Sequence, residues 1–103
     1  MIKSAAENIY PAEVEACLRT HAAIADVAVV GVPDPTWGQI VRAVVVPAEG
    51  ARPTLAELQD HCRARIASYK KPTSLLLTDA LPRQGEAIDY DAMAAADFSS
   101  RHS

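Results

Sequence analysis

From Pro11 onward the apolar positions Val14, Cys17 and Leu18 recur at helical spacing, with Glu13, Glu15 and Arg19 on the other faces. Proline suits the first position of a helix, because its φ is already helical and its missing N–H would have had no partner there. A helix over residues 11–20 is predicted, closing at Thr20-His21. Ahead of it, Met1-Ile2 is apolar and Lys3 to Asn8 is small and polar, which reads as an opening strand and a loop. Residues 24–32 are rich in valine, with Asp26 as the polar interruption, and predict a strand. Pro33-Asp34-Pro35-Thr36 reads as a turn, since proline gives no ladder donor. A second strand over 40–46 carries one charge, Arg42. Their closeness in sequence favours an antiparallel pair, and the continuous valine runs predict cover on both faces.

Residues 47–53 form a loop with proline at each end and Gly50 inside it. Thr54-Leu55-Ala56-Glu57 has the pattern of a capping box. Leu55, Leu58, Cys62, Ile66 and Tyr69 then mark one apolar stripe of a helix over 54–69, with His61, Arg63 and Arg65 on its solvated flanks. Lys70 and Lys71 complement the helix C-terminus and Pro72 enforces its stop. Residues 74–78 predict a third strand, followed by a turn at Leu81-Pro82-Arg83. The tail from residue 92 is rich in alanine and serine; a short helix near residues 91–96 is expected to fray beyond. The fold class is α+β: a small three-stranded, mainly antiparallel sheet with two main helices, as one domain over 1–103. Trp37 is expected as an anchor at the rim of the core, and His21 at a helix end is not expected to be catalytic.

Half of the 103 residues are apolar, enough for a core of ordinary depth in one small domain. The net charge is −3 and the basic residues form no stripe, which argues against a nucleic-acid footprint. No apolar run approaches the roughly 20 residues of a membrane span. Without a signal peptide's apolar run the chain reads as soluble and cytoplasmic, and Cys17 and Cys62, each on an apolar stripe, read as buried reduced thiols.

The run Glu7-Asn8-Ile9-Tyr10-Pro11-Ala12-Glu13-Val14-Glu15 carries a resemblance. So do Val29-Val30-Gly31-Val32-Pro33-Asp34 with Trp37-Gly38, then Tyr69-Lys70-Lys71-Pro72, then Leu81-Pro82-Arg83. In this order they resemble the C-terminal domain of the adenylate-forming enzymes, the acyl- and aryl-CoA synthetases and luciferases. The resemblance implies a lid that closes on a large N-terminal adenylating domain, in cis or in trans, in an enzyme that uses ATP and CoA. No cofactor is expected on this domain alone. In the family the lid works in two orientations. One inserts a lysine, a few residues beyond Leu-Pro-Arg, against the α-phosphate. Here that slot falls at Ile88, and no lysine follows Lys71. An aliphatic side chain cannot stabilise phosphate charge, and Glu86, Asp89 and Asp91 make the neighbourhood acidic. No catalytic residue is therefore expected in this chain.

The other orientation presents a glycine-rich loop to the thioester site. The matching residues are Ser4, Ala5, Ala6, Glu7 and Asn8, with alanines where the family often has glycines; alanine does not freely adopt positive φ. Lys70 and Lys71 match a region that meets the large domain or CoA phosphates. Gln39 stands where a glutamate is common. The chain starts near the family's hinge, as an excised lid or a separately encoded remnant would. Two readings follow: a lid of an acid–thiol ligase, inactive alone, or a stand-alone, non-catalytic interaction module that keeps the fold. An independent enzyme using Glu7 or His61 has no second catalytic group at readable spacing. The exposed sheet edge, or the face that meets the large domain, suggests a weak homodimer.

Overall fold

The computed structural model describes residues 1–85 and 87–95. The segment taken as an opening strand and loop is a complete hairpin, β1 (Ile2–Ser4) and β2 (Glu7–Ile9), paired antiparallel with Ser4 opposite Glu7. Its apolar ends Ile2 and Ile9 are buried in the core, which the polar middle of the segment concealed. Helix α1 (Pro11–Arg19) follows, with Pro11 in its first turn and Thr20 as its C-cap. Val14, Cys17 and Leu18 are buried, as the spacing predicts.

Strands β3 (Ile24–Asp34) and β4 (Gly38–Pro47) are antiparallel, and each outruns its valine core. Pro33 pairs with Gln39 inside the ladder rather than ending it. β3 is an edge strand, where a missing donor is tolerated. The turn starts at Asp34, whose carboxylate accepts from the amides of Thr36 and Trp37 at 3.0 and 2.9 Å. Trp37 is 54% exposed, so it is no core anchor. The open edge of β3 is itself partly covered. Val29 N–H donates to Glu15 of α1 at 2.8 Å, and Arg19 of α1 donates to the Val27 carbonyl at 3.4 Å. Those two contacts satisfy edge groups that would otherwise be free to pair with another chain.

Helix α2 (Leu55–Arg63) starts as predicted. Thr54 accepts from the Glu57 amide at 3.2 Å, while the Glu57 carboxylate meets the Thr54 hydroxyl rather than its backbone. The helix ends six residues early. Ala64 caps it, Ile66 N–H bonds back to Cys62, and a separate 3₁₀ turn (Ser68–Lys70) holds Tyr69 away from the stripe. A continuous helix would carry the chain off the sheet at about 1.5 Å per residue. Instead Gln59 holds the Pro72 carbonyl at 3.0 Å, and Thr73 reaches Val41 of β4 at 2.9 Å. β5 (Ser74–Leu77) then runs parallel to β4, so the sheet is mixed, in the order β3-β4-β5.

Alternate residues of the sheet feed two cores. Val27, Val29, Val41, Ala43 and Val45 face α1, α2 and the hairpin. Ala28, Val30 and Val44 face the other way, under Leu81 and Met93. Met93 belongs to α3 (Tyr90–Ala95), which follows a short hairpin of β6 (Arg83–Gln84) and β7 (Ala87–Ile88). Arg42 is buried between the layers, donating to Ser74 Oγ at 3.1 Å and to the Met93 carbonyl at 3.2 Å. Both faces are covered, as the valine runs predict.

Candidate functional site

The two-residue turn of the first hairpin is Ala5-Ala6, and Ala5 takes a φ of 54°. Hairpins use a positive φ at the first central position when only two residues join the strands, and glycine takes it most easily. Ala5 is the non-glycine residue in that region among the described residues. Ala5 therefore holds a conformation that glycine adopts more easily. Its amide is held by the Trp37 carbonyl at 2.7 Å.

An open cavity of about 500 Å³ lies beside this turn. Ser4, Ala5 and Glu7 form its hairpin wall; Asp34, Trp37 and Ile40 come from the β3–β4 corner; Tyr69, Lys71 and Thr73 come from the approach to β5. The ends of three separate chain segments meet here because β4 is central, with β1 packed beside its start and β5 parallel to it. Trp37 and Tyr69 are each about half exposed, at 54% and 47%. Lys71 is half-buried, and its Nζ donates to the carbonyl of Ser68 at 3.2 Å. Among the described residues no carboxylate pairs with it.

Of the sequence candidates, Ser4, Ala5, Glu7 and Lys71 therefore share one site. Ala6 and Asn8 are exposed on the same hairpin but do not line the cavity. Lys70 turns to α1, where its Nζ meets Glu13 at 2.7 Å. That hydrogen bond holds the Lys70 ammonium above its ordinary range. Trp37 and Tyr69 were missed as site residues. Both look like core anchors in a hydropathy pattern, and the signal that separates them is their neighbours: a proline turn before one and a Lys-Lys-Pro stop after the other.

Outside the cavity, Cys17 and Cys62 are buried and not disulfide-linked; the Cys17 thiol donates to Cys62 Sγ at 3.8 Å between α1 and α2. Burial, and then Cys17, pushes the Cys62 thiol up to about 12. His61 is not simply solvated. Its Nε2 lies 2.7 Å from Thr20 Oγ1 and 3.1 Å from the Cys17 carbonyl, and burial lowers its pKa. The backbone of Ile88 pairs with Arg83 in the β6–β7 hairpin. Asp89 is engaged as a helix cap, accepting from the Ala92 amide at 3.0 Å. Glu86 and the tail from residue 96 lie outside the described residues. Among those residues no metal-binding cluster of His, Cys, Asp or Glu occurs, and no helix is long and apolar enough to cross a membrane.

A small α+β unit thus brings a hairpin turn, a tryptophan corner and a Lys-Lys-Pro segment to one open face. The chain belongs to the family of the AMP-binding enzyme C-terminal domain, whose model matches residues 13–87. It is 58% identical over 82 residues to a medium/long-chain-fatty-acid–CoA/3-oxocholest-4-en-26-oate–CoA ligase of Mycolicibacterium smegmatis, covering 80% of this chain and 15% of that one. It is 52% identical over 85 residues to a feruloyl-CoA synthase of an Amycolatopsis species, covering 82% and 17%. Its structure superposes on the o-succinylbenzoate CoA synthetase of Bacillus subtilis in complex with its acyl-adenylate, with a TM-score of 0.82, 37% identity, and 93% and 20% of the two chains covered. The Mycobacterium tuberculosis fatty acyl CoA synthetase gives a TM-score of 0.82 at 34% identity, covering 91% and 19%. The chain thus spans about one sixth of the length of the curated relatives it matches.

Proposed function

We propose that this chain is the lid of an AMP-forming acid–thiol ligase, specialised for the orientation in which acyl groups pass from adenylate to thiol. The observation that carries this reading is the shared cavity. The loop matching the thioester-site loop, Ser4-Ala5 with Glu7, faces the same space as Lys71, Trp37 and Tyr69. Such a site suits CoA: the flat aromatic faces can flank a base, and a lysine without a carboxylate partner can meet phosphate. The narrow turn lets a pantetheine arm pass the backbone of Ala5. The chain's own part is to bind, orient and exclude water; the acyl-adenylate belongs to the large domain.

The adenylating orientation is not supported in the same way. Isoleucine stands at position 88, where the family's lysine would neutralise charge, and a positioned cation of that kind contributes on the order of a few kcal/mol to a barrier. The lid alone is proposed to be inactive, with a large adenylating domain as its partner in cis or in trans. Its cavity face, with two half-exposed aromatics, also favours weak self-association of the isolated chain.

Replacing the native lid of the 58%-identical ligase with this chain tests the reading. Thioester formation from preformed acyl-adenylate and CoA should exceed that of the lidless enzyme, and Trp37→Ala should raise the KM for CoA. A fused chain that folds but adds nothing would favour the second reading, a non-catalytic interaction module, which the isoleucine at position 88 also allows.

A further inference from the structure

We propose that Gln39 is a positioning residue: its side-chain amide holds the β1–β2 hairpin against the sheet and so sets the Ala5 turn at the cavity wall. The functional arm of this proposal rests on the thioester-site reading above. Three observations carry it.

First, Lys3 N–H does not donate to β2. It donates to Gln39 Oε1 at 2.8 Å, across 36 residues of sequence. Two residues further on, in the turn, Ala5 N–H donates to the Trp37 carbonyl at 2.7 Å. Residues 3 and 5 are therefore held by residues 39 and 37. The second of these holds is backbone to backbone and independent of side chain. The first exists only if residue 39 offers an acceptor.

Second, the space for that amide is made by Gly31. A Cβ at position 31 would lie 2.8 Å from Gln39 Nε2 and 3.1 Å from Ile2 Cγ1. Gly31 has no need of glycine for its φ, which is not positive. A side chain here would instead displace the glutamine amide and crowd the first hairpin strand.

Third, the hairpin has little else to fix its tip. Ile2 and Ile9 bury its base, but Lys3, Ala5, Ala6, Glu7 and Asn8 are all exposed. A two-stranded hairpin is marginally stable by itself. The tip carries an alanine in the left-handed region, a conformation that relaxes unless the surroundings hold it. The Gln39 and Trp37 bonds supply that hold. A glutamate at position 39 would offer the same acceptor oxygen, whereas a leucine would offer none.

The test is amide hydrogen exchange, read by NMR on the 103-residue chain. Gln39→Leu should speed exchange at Lys3 and Ala5 by roughly tenfold, leaving Val44 and Val45 in the central strand unchanged. Gln39→Glu should keep the protection. Gly31→Ala, which displaces the amide by another route, should reproduce the Lys3 effect. Unchanged exchange at Lys3 in Gln39→Leu would overturn the clamp, as would equal loss in Gln39→Glu. In the lid-swapped ligase, Gln39→Leu should raise the KM for CoA by about tenfold, with acyl-adenylate formation unaltered. Lost protection with an unchanged KM upholds the clamp and overturns the thioester-site reading.

Discussion

The amide of Ala5 donates to the carbonyl of Trp37 at 2.7 Å, joining the first turn of the chain to the β3–β4 turn. The bond holds Ala5 at a φ of 54°, where an L-residue with a Cβ is strained. Ala5→Gly should therefore stabilise the chain, by up to about 1 kcal/mol or a few degrees of Tm. Thermal unfolding reads it directly. A fall in Tm would mean that the turn is not strained.

Glu15 is buried at 7% exposure and accepts from Val29 N–H at 2.8 Å and from the Tyr90 hydroxyl at 3.3 Å. Burial, and then Glu15, raises the Tyr90 pKa. Glu15→Ala leaves both donors without their acceptor and should cost about 1–3 kcal/mol. Tyr90→Phe removes a single bond, at the edge of the core, and should cost less, near 1 kcal/mol. Chemical denaturation of the two variants separates them; equal effects would contradict the central place given to Glu15.

His61 titrates below its ordinary value because burial disfavours the charged ring, opposed by its bond to the Cys17 carbonyl. Arg65 and His21 add to the lowering. The His21 and His61 rings meet edge to face at 4.9 Å. A depressed pKa means that the unfolded chain binds the proton more tightly. The resulting stability is present above the unfolded value of 6.5 and is lost as pH falls through the folded one. His61→Gln should flatten the fall in Tm between pH 7 and pH 5 relative to the parent, conditions chosen to bracket a histidine titration of about 6.5. A variant profile as steep as the parent's would assign the loss to other groups.

The thiols of Cys17 and Cys62 are 8% and 0% exposed. With the Cys62 pKa near 12, native alkylation at mildly alkaline pH should be slow, and both thiols should label fully in denaturant. Mass spectrometry counts the adducts. Rapid modification of Cys62 in the folded chain would contradict the packing of α1 on α2.

Periodicity made the sheet and helices legible, because Val14, Cys17, Leu18 and the valine strands bury their side chains where the pattern puts them. It overran at Tyr69, where the requirement to return beside β4 broke a helix that no glycine or proline interrupts. It passed over the hairpin, since only Ile2 and Ile9 of that segment enter the core. Four of the loop and lysine candidates, Ser4, Ala5, Glu7 and Lys71, meet at one cavity. Lys70 does not join them, since its partner Glu13 lies 57 residues away in sequence, a distance no local pattern spans. Trp37 is apolar by composition but sits on a turn, and its exposure depends on the Asp34 contacts that shape that turn.

The proposed role in acyl transfer is tested by measuring both half-reactions on one protein. In the lid-swapped ligase, pyrophosphate exchange reports adenylation, and CoA consumption from preformed acyl-adenylate reports transfer. Transfer should exceed that of the lidless enzyme while exchange stays weak, and Ile88→Lys should raise exchange with transfer little changed. Full exchange activity with isoleucine at position 88, or transfer no faster than without a lid, would contradict that role.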